Sequence, residues 1–213
     1  MNCCQCQGIE ELFSQRYVMK ELERYRLKGP DKTTQILIEA IKEAGVDGLT
    51  LLDIGGGVGL VQYALVDAGV QQVTSVDASR AYISAARTEA ERRGCADHIS
   101  YIYGDFVDLA QDIAPADIVT LDRVICCYHD MENLVTLSAE RARNLYGLVY
   151  PRDTWWVKIG LAFENFFFWL QRNPFRSFVH PTKSVEELLE SKGLKRRSYH
   201  QTLVWQVAVY SRK

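Results

Sequence analysis

Four aspartates stand at the ends of apolar runs, each beside turn-forming or small residues. They are Asp53 in Asp53-Ile54-Gly55-Gly56-Gly57-Val58-Gly59, Asp77 in Val76-Asp77-Ala78-Ser79, Asp105 in Gly104-Asp105-Phe106, and Asp122 in Leu121-Asp122-Arg123. The glycine turn follows Leu49-Thr50-Leu51-Leu52 and precedes a helical pattern from Leu60 to Val66. Strand, glycine turn and helix together present bare main chain, unpaired N–H groups and the positive end of a helix dipole. Such a turn holds a nucleotide-like cofactor. A dinucleotide turn needs G-x-G-x-x-G. Gly55 and Gly57 fill its first two places but Leu60 takes the third; starting from Gly57, Gly59 fits and Gln62 takes the third. A carboxylate at Asp53 repels a pyrophosphate and suits a cofactor carrying sulfonium and ammonium charge.

Tyr128-His129-Asp130 follows the fourth of these runs, where a proton acceptor would be placed. His129 is a candidate general base, with Tyr128 beside it; the alternative is a surface-loop histidine. Cys3, Cys4 and Cys6 cluster too tightly for the paired spacing of a zinc site, so no metal is expected and a thiol-rich tail is the simpler reading.

The elements that must position these groups alternate. Strands are expected over Thr50–Ile54, Gln72–Asp77, Ile99–Tyr103, 117–121 and 146–149. Helices are expected over 57–68, 79–93 and 131–144, and the sheet should be mainly parallel with helices on both faces. An antiparallel hairpin, 195–202 and 204–210, should close the sheet edge after a helix capped by Ser184. Ahead of the repeating units lie a helix over 9–28, stopped by Gly29-Pro30, and a second capped by Asp31 or Thr33. Residues 154–170, with Trp155, Trp156, Phe163 and a Phe-Phe-Phe-Trp-Leu run, are hydrophobic almost all round. A helix of that kind packs in a core or dimer, walls an apolar pocket, or meets a membrane surface.

The 213 residues suit one domain with a small appendage, and 47% hydrophobic with 24% charged residues suit an ordinary globular core. Net charge is −2, which gives no general field for nucleic acid. The chain start lacks a basic region followed by an apolar one, and no stretch reads as a transmembrane helix. A cytoplasmic protein with reduced thiols is therefore expected.

The ordered set Leu51-Leu52-Asp53-Ile54-Gly55-Gly56-Gly57-Val58-Gly59, Val76-Asp77-Ala78-Ser79, Gly104-Asp105-Phe106 and Leu121-Asp122-Arg123 resembles class I S-adenosylmethionine-dependent methyltransferases. More distantly, Arg24-Tyr25-Arg26-Leu27-Lys28-Gly29-Pro30 and Val124-Ile125-Cys126-Cys127-Tyr128 look like bacterial proteins grouped with magnesium-protoporphyrin O-methyltransferases. The resemblance implies a Rossmann-like α/β fold: a seven-stranded, mostly parallel sheet with a C-terminal antiparallel hairpin and an N-terminal helical cap. It implies a tail and cap over 1–47 and the catalytic domain over 48–213. It also implies roles. Gly55, Gly57 and Gly59 make room for the methionine part, and Asp53 supports the turn and the amino group. Asp77 takes the ribose hydroxyls, Ala78 and Ser79 flank the adenine, and Asp105 accepts from its amino group. Gly104 and Phe106 lie beside the ring, and Asp122 and Arg123 floor the site near the methyl group. The expected reaction is methyl transfer from S-adenosylmethionine to a small or medium apolar or aromatic acceptor, at oxygen. The protein would be a monomer or homodimer, with a peripheral membrane contact left open. The competing readings are a nicotinamide-dependent oxidoreductase and a non-catalytic cofactor-binding or interaction module.

Overall fold

The computed structural model describes residues 4–212, with side chains from Gly8 onward. Seven strands form one sheet: β1 Thr50–Ile54, β2 Gln72–Asp77, β3 Ile99–Tyr103, β4 Ala116–Asp122, β5 Ala142–Pro151, β6 Leu194–Gln201 and β7 Trp205–Arg212. Their order is β3-β2-β1-β4-β5-β7-β6. The first five are parallel, and β7 runs antiparallel between β5 and β6. The expected Rossmann-like sheet with its edge hairpin is what forms. Its strand order reverses between β1 and β4, the place where open α/β sheets leave a crevice at their carboxyl ends.

The helices are α1 Cys4–Leu12, α2 Gln15–Lys28, α3 Lys32–Lys42, α4 Leu60–Val66, α5 Arg80–Arg93, α6 Phe106–Leu109, α7 Met131–Arg141, α8 Trp155–Leu170 and α9 Thr182–Ser191. One core lies under α7 and α9, built on Leu52, Val119, Leu121, Tyr146 and Ala208. Another lies under α3, α4 and α5, built on Leu37, Ile41, Leu51, Val73 and Ile118. The inner strands β1, β4, β5 and β7 are largely buried on both faces, as their near-continuous apolar runs require, while the edge strands β3 and β6 are more exposed.

Several expectations are corrected. The stretch 9–28 is two helices, because the chain turns extended at Ser14 (ψ 156°). There Phe13 drops between the rings of Tyr82 and Phe175, with centroids at 5.1 and 6.1 Å. The helix after the glycine turn starts only at Leu60, since Gly57 and Gly59 hold left-handed φ. Strand β5 is longer than 146–149 because it pairs along its length with β7 as well as β4. Helix α9 begins after Pro181, not at Ser184, its first turn closed by the Val185 N–H donating to the Pro181 carbonyl at 3.2 Å. Helix α8 forms over the expected span, yet only Val157 of it is fully buried, so core packing is not its role.

Candidate active site

The first four parallel strands deliver their terminal acids to one cavity of about 580 Å³. Asp53, Asp77, Asp105 and Asp122 all line it, with Gly55, Gly56, Gly57, Ala78, Gly104, Phe106, Arg123 and Tyr128. Four separate stretches of sequence therefore share a single wall.

The glycine turn is shaped by what lies against it. A side chain at Gly55 would meet Val124 Cγ2 at 2.6 Å, and the residue holds φ +63°. At Gly56 a Cβ would strike Gln62 and stand 2.5 Å from Asp53 Oδ2. The requirement at Gly56 has no signal in the sequence, because it arises from Asp53 folding back beneath its own turn. Asp53 is 1% exposed. Its Oδ1 accepts from Thr120 Oγ1 at 2.6 Å and its Oδ2 from Gln62 Nε2 at 2.9 Å. Burial pushes its carboxyl up to about 6, against the pull of those two donors.

Asp77 accepts from the Gly57 N–H at 3.1 Å and the Ser79 N–H at 2.8 Å. Its carboxylate thereby ties the end of β2 to the glycine turn on β1. Burial pushes it up to about 7. Asp105 caps α6, its Oδ1 accepting from Val107 N–H at 2.9 Å, while Tyr128 donates to its Oδ2 at 2.9 Å. Asp122 accepts from Thr34 Oγ1 on α3 at 2.5 Å, and its Oδ1 is buried without a hydrogen-bond partner. Burial raises its carboxyl, and the guanidinium of Arg123 acts the other way.

Arg123 takes φ +62°, unusual for a residue with a side chain. This conformation accompanies a guanidinium that reaches Asp31 at 3.0 Å and Thr33 Oγ1 at 2.9 Å. Arg24 holds the same Asp31 at 2.7 Å. The tip of β4 is thus laced to α2 and α3, and the N-terminal segment supplies Ile9 and Leu12 of α1, Phe13 of the turn, and Tyr17, Glu21 and Arg24 of α2 to the cavity.

Three expected residues lie elsewhere. Gly59 caps α4 with φ +88° and is not on the cavity wall. Ser79 is buried under α5, where its hydroxyl accepts from Tyr82 N–H, so it serves as an N-cap and does not flank the cavity. His129 is exposed and stacks on the Tyr128 ring at 5.4 Å. Gly59 and Ser79 are positions the resemblance implies, and His129 is read from its place after the fourth strand; the fold turns all three away from the cavity. His180 does structural work that no spacing signalled: its Nε2 hydrogen-bonds the carbonyls of Ile125 and Tyr128 at 2.8 and 3.1 Å. Phe178 N–H adds a bond to Cys126 O at 2.7 Å, so the chain from 178 to 180 pins the loop after β4.

On α8, Trp155, Trp156 and Phe163 do not line the cavity; Leu161, Glu164 and Phe168 do, with Phe175 and Trp205. The cysteine cluster at Cys3, Cys4 and Cys6 lies outside the described side chains. Among the described residues no group of three or more His, Cys, Asp or Glu is arranged to hold a metal. In all, seven carboxylates and two guanidiniums line the cavity. Low-dielectric walls focus that imbalance into a field that attracts cations and repels phosphates.

Comparison with known proteins agrees with this geometry. Residues 51–146 match the family model described as a methyltransferase domain. Cypemycin N-terminal methyltransferase from Streptomyces sp. is 34% identical over 101 residues, covering 47% of this chain and 39% of that protein. Ribosomal protein L11 methyltransferase from Aeromonas hydrophila is 28% identical over 143 residues, covering 61% and 49%. The chain spans less than half the length of the curated relatives it matches. Among solved structures, magnesium protoporphyrin IX methyltransferase from Synechocystis PCC 6803 with bound SAH superposes with TM-score 0.73 at 17% identity, covering 96% of this chain and 98% of that one. An O-methyltransferase family protein from Burkholderia thailandensis gives TM-score 0.72 at 15% identity, covering 95% and 61%.

Proposed function

We propose that the protein is a class I, S-adenosylmethionine-dependent methyltransferase that methylates a small or medium apolar or aromatic acceptor at oxygen; the match of residues 51–146 to a methyltransferase-domain family model supports this. The observation that carries this reading is the convergence of Asp53, Asp77, Asp105 and Asp122 on one acid-rich cavity beside a side-chain-free turn.

The residues present fit a cationic sulfur nucleoside. Asp77 has lone pairs left after its two backbone bonds and would accept from the ribose hydroxyls. Asp53 would face the amino group, Ala78 and Phe106 would bracket the adenine, and Asp105 would accept from its amine. Gly55 and Gly57 leave main chain open to the methionine part. S-adenosylmethionine, when bound, supplies a methyl group on a positively charged sulfur. The chain's own task is to orient the acceptor, exclude water and take up a proton. Asp122 Oδ1, which has no hydrogen-bond partner and stands 3.8 Å from Arg123 Nε, suits that last role better than exposed His129, and Tyr128 lies on the same wall. The acceptor's apolar body would lie against Leu12, Phe13, Leu161, Phe168 and Phe175. Support for an oxygen acceptor comes from the structural neighbours described as porphyrin or O-methyltransferases; the curated relatives that act on proteins make nitrogen the alternative.

The excess of carboxylates speaks against a nicotinamide dinucleotide, whose pyrophosphate would meet that field. Calorimetry with S-adenosylmethionine and with NAD tests the point: binding of the first alone is expected, and binding of NAD alone would overturn the reading. A methyl-release screen against phenols, carboxylic acids and amines of increasing ring size then separates oxygen from nitrogen acceptors. Absence of turnover across such a screen, with the nucleoside bound, would favour a non-catalytic module.

A further inference from the structure

Helix α8 has two apolar faces, and the protein uses only one. Val157 is buried, and Leu161, Glu164 and Phe168 line the cavity. Asn165 fastens the helix by exchanging hydrogen bonds with the main chain of Ser177 at 2.7 and 2.8 Å. The other face carries Trp155, Ile159, Phe163, Phe166, Trp169 and Leu170, all exposed; Trp155, Phe163 and Trp169 are 69%, 64% and 63% open to solvent. Trp156 bonds Leu203 O at 3.5 Å, which joins the face to the exposed tip Leu203-Val204 of the β6–β7 turn. At ~150–250 Å² per aromatic side chain, the exposed parts of Trp155, Trp156, Phe163, Phe166, Phe167 and Trp169 leave roughly 500–850 Å² of aromatic surface open, to which Ile159 and Leu170 add. The largest patch on a typical monomer is ~300–600 Å².

We infer that this face docks the protein on a lipid bilayer bearing anionic headgroups. Three features favour that occupant. The exposed residues are rich in Trp and Phe, the side chains that settle at the boundary of headgroup and acyl chain. Trp155 and Trp156 open the helix and Trp169 nearly closes it, so both ends carry amphipathic rings at the same level. Residues 152–176 carry Arg152, Lys158, Arg172 and Arg176 against Asp153 and Glu164, while the whole chain is −2; Lys158 is paired with Asp153 at 2.6 Å and Arg176 bonds main-chain carbonyls, whereas Arg172 is exposed at the end of the helix and Arg152 stands over the Trp156 ring at 5.9 Å. A segment of net positive charge carrying an apolar face, in an otherwise acidic protein, complements an anionic surface. No helix among the described residues is long and apolar enough to cross a membrane, so the contact lies in the bilayer plane.

Docking deepens the proposed function, and this part rests on that reading. The same helix that meets the bilayer walls the cavity, so an acceptor dissolved in lipid has a short path from one face of α8 to the other. The substrate class is then a lipophilic molecule drawn from the membrane.

The test is sedimentation with vesicles of phosphatidylcholine, with and without phosphatidylglycerol, for the unaltered chain and for the combined variant Trp155→Ser, Phe163→Ser, Trp169→Ser. The protein is expected to pellet with the anionic vesicles, with its tryptophan emission shifted to the blue, and the variant at least about tenfold less. Arg172→Glu is expected to weaken pelleting with anionic vesicles and leave it unchanged with neutral ones. These side chains are exposed, so thermal melting and S-adenosylmethionine affinity should be retained, which separates failure of docking from failure of the methyltransferase reading. Protein that stays in solution with both vesicles overturns the inference, as does equal pelleting of the triple variant. A dimer in light scattering that the triple variant abolishes, without pelleting, assigns the face to a second copy and overturns it too.

Discussion

Replacing Asp53 by Asn should make the ligand-free protein more stable while damaging the site. Asp53 is buried beneath the glycine turn, and its carboxyl is raised from 3.8 to about 6. A carboxyl that holds its proton more tightly when folded adds stability at low pH. That contribution is complete below about pH 4 and disappears as pH rises through 6. Above pH 7 the folded protein therefore carries a buried charge at a cost of about 3 kcal/mol, from two pH units at ~1.4 kcal/mol each. Asn has the same shape, can accept from Gln62 Nε2, and carries no charge. Asp53→Asn and the unaltered chain should melt together near pH 4. At pH 8 the variant should melt higher by up to about 6–12 °C, for a chain of this size at ~2–4 °C per kcal/mol. Its affinity for S-adenosylmethionine should fall about ten- to a hundredfold, the loss of a hydrogen bond to a charged group. Differential scanning calorimetry across pH 4–8 reads the first effect and titration calorimetry the second. Melting curves that stay parallel at all pH values would show that Asp53 ionises at no cost, and the account of its burial would be wrong.

Asp77, raised to about 7, should lose its proton when hydroxyl donors and a cationic ligand arrive. Affinity should then weaken as pH drops below 7, up to about tenfold per unit. Titrations in buffers of different ionisation enthalpy should record proton release at pH 6; a constant heat in all buffers would contradict this. Gly55→Ala forces a side chain against Val124 at a left-handed φ, and should cost about 1–3 kcal/mol in urea unfolding with loss of cofactor binding. Glu89 is buried, receives Arg92, Arg26 and Arg93 at 2.6, 2.7 and 3.0 Å, and is held down to about 2 mainly by Arg92. Glu89→Gln should cost about 2–4 kcal/mol at pH 7. Its paired charge contributes above about pH 4.5 and is lost as pH falls through 2, so the difference should shrink in acid; a gap that persists at pH 2 would refute the ion-pair origin.

The sheet was legible because its information is local. Strands β1, β2 and β3 end where their apolar runs meet Asp53, Asp77 and Tyr103-Gly104, and β1, in the middle of the sheet, is buried on both faces. The four acids were legible for a related reason: in a parallel sheet every strand end points to one edge, so residues distant in sequence share a wall. What could not be read depends on contacts across the fold. Ser14 breaks a helical pattern because Phe13 has partners on α5 and near α8. Gly56 is fixed by a carboxylate that returns under it. His180 is fixed by carbonyls 52–55 residues away. His129 looked chemical from its place after β4, yet loop direction put it in solvent. The hydrophobicity of α8 leaves core or dimer packing, a pocket wall and a membrane surface open, because periodicity does not say whether a protein, a second chain or a lipid covers each face.

The most direct measurement is a crystal structure with S-adenosylhomocysteine. The nucleoside is predicted to lie across the carboxyl ends of β1 and β2, with both ribose hydroxyls on Asp77, the adenine amine on Asp105 and the sulfur directed toward Asp122. A ligand lodged elsewhere, or one whose ribose and adenine make no contact with Asp77 and Asp105, would contradict the claim that these strand-end acids form one binding site.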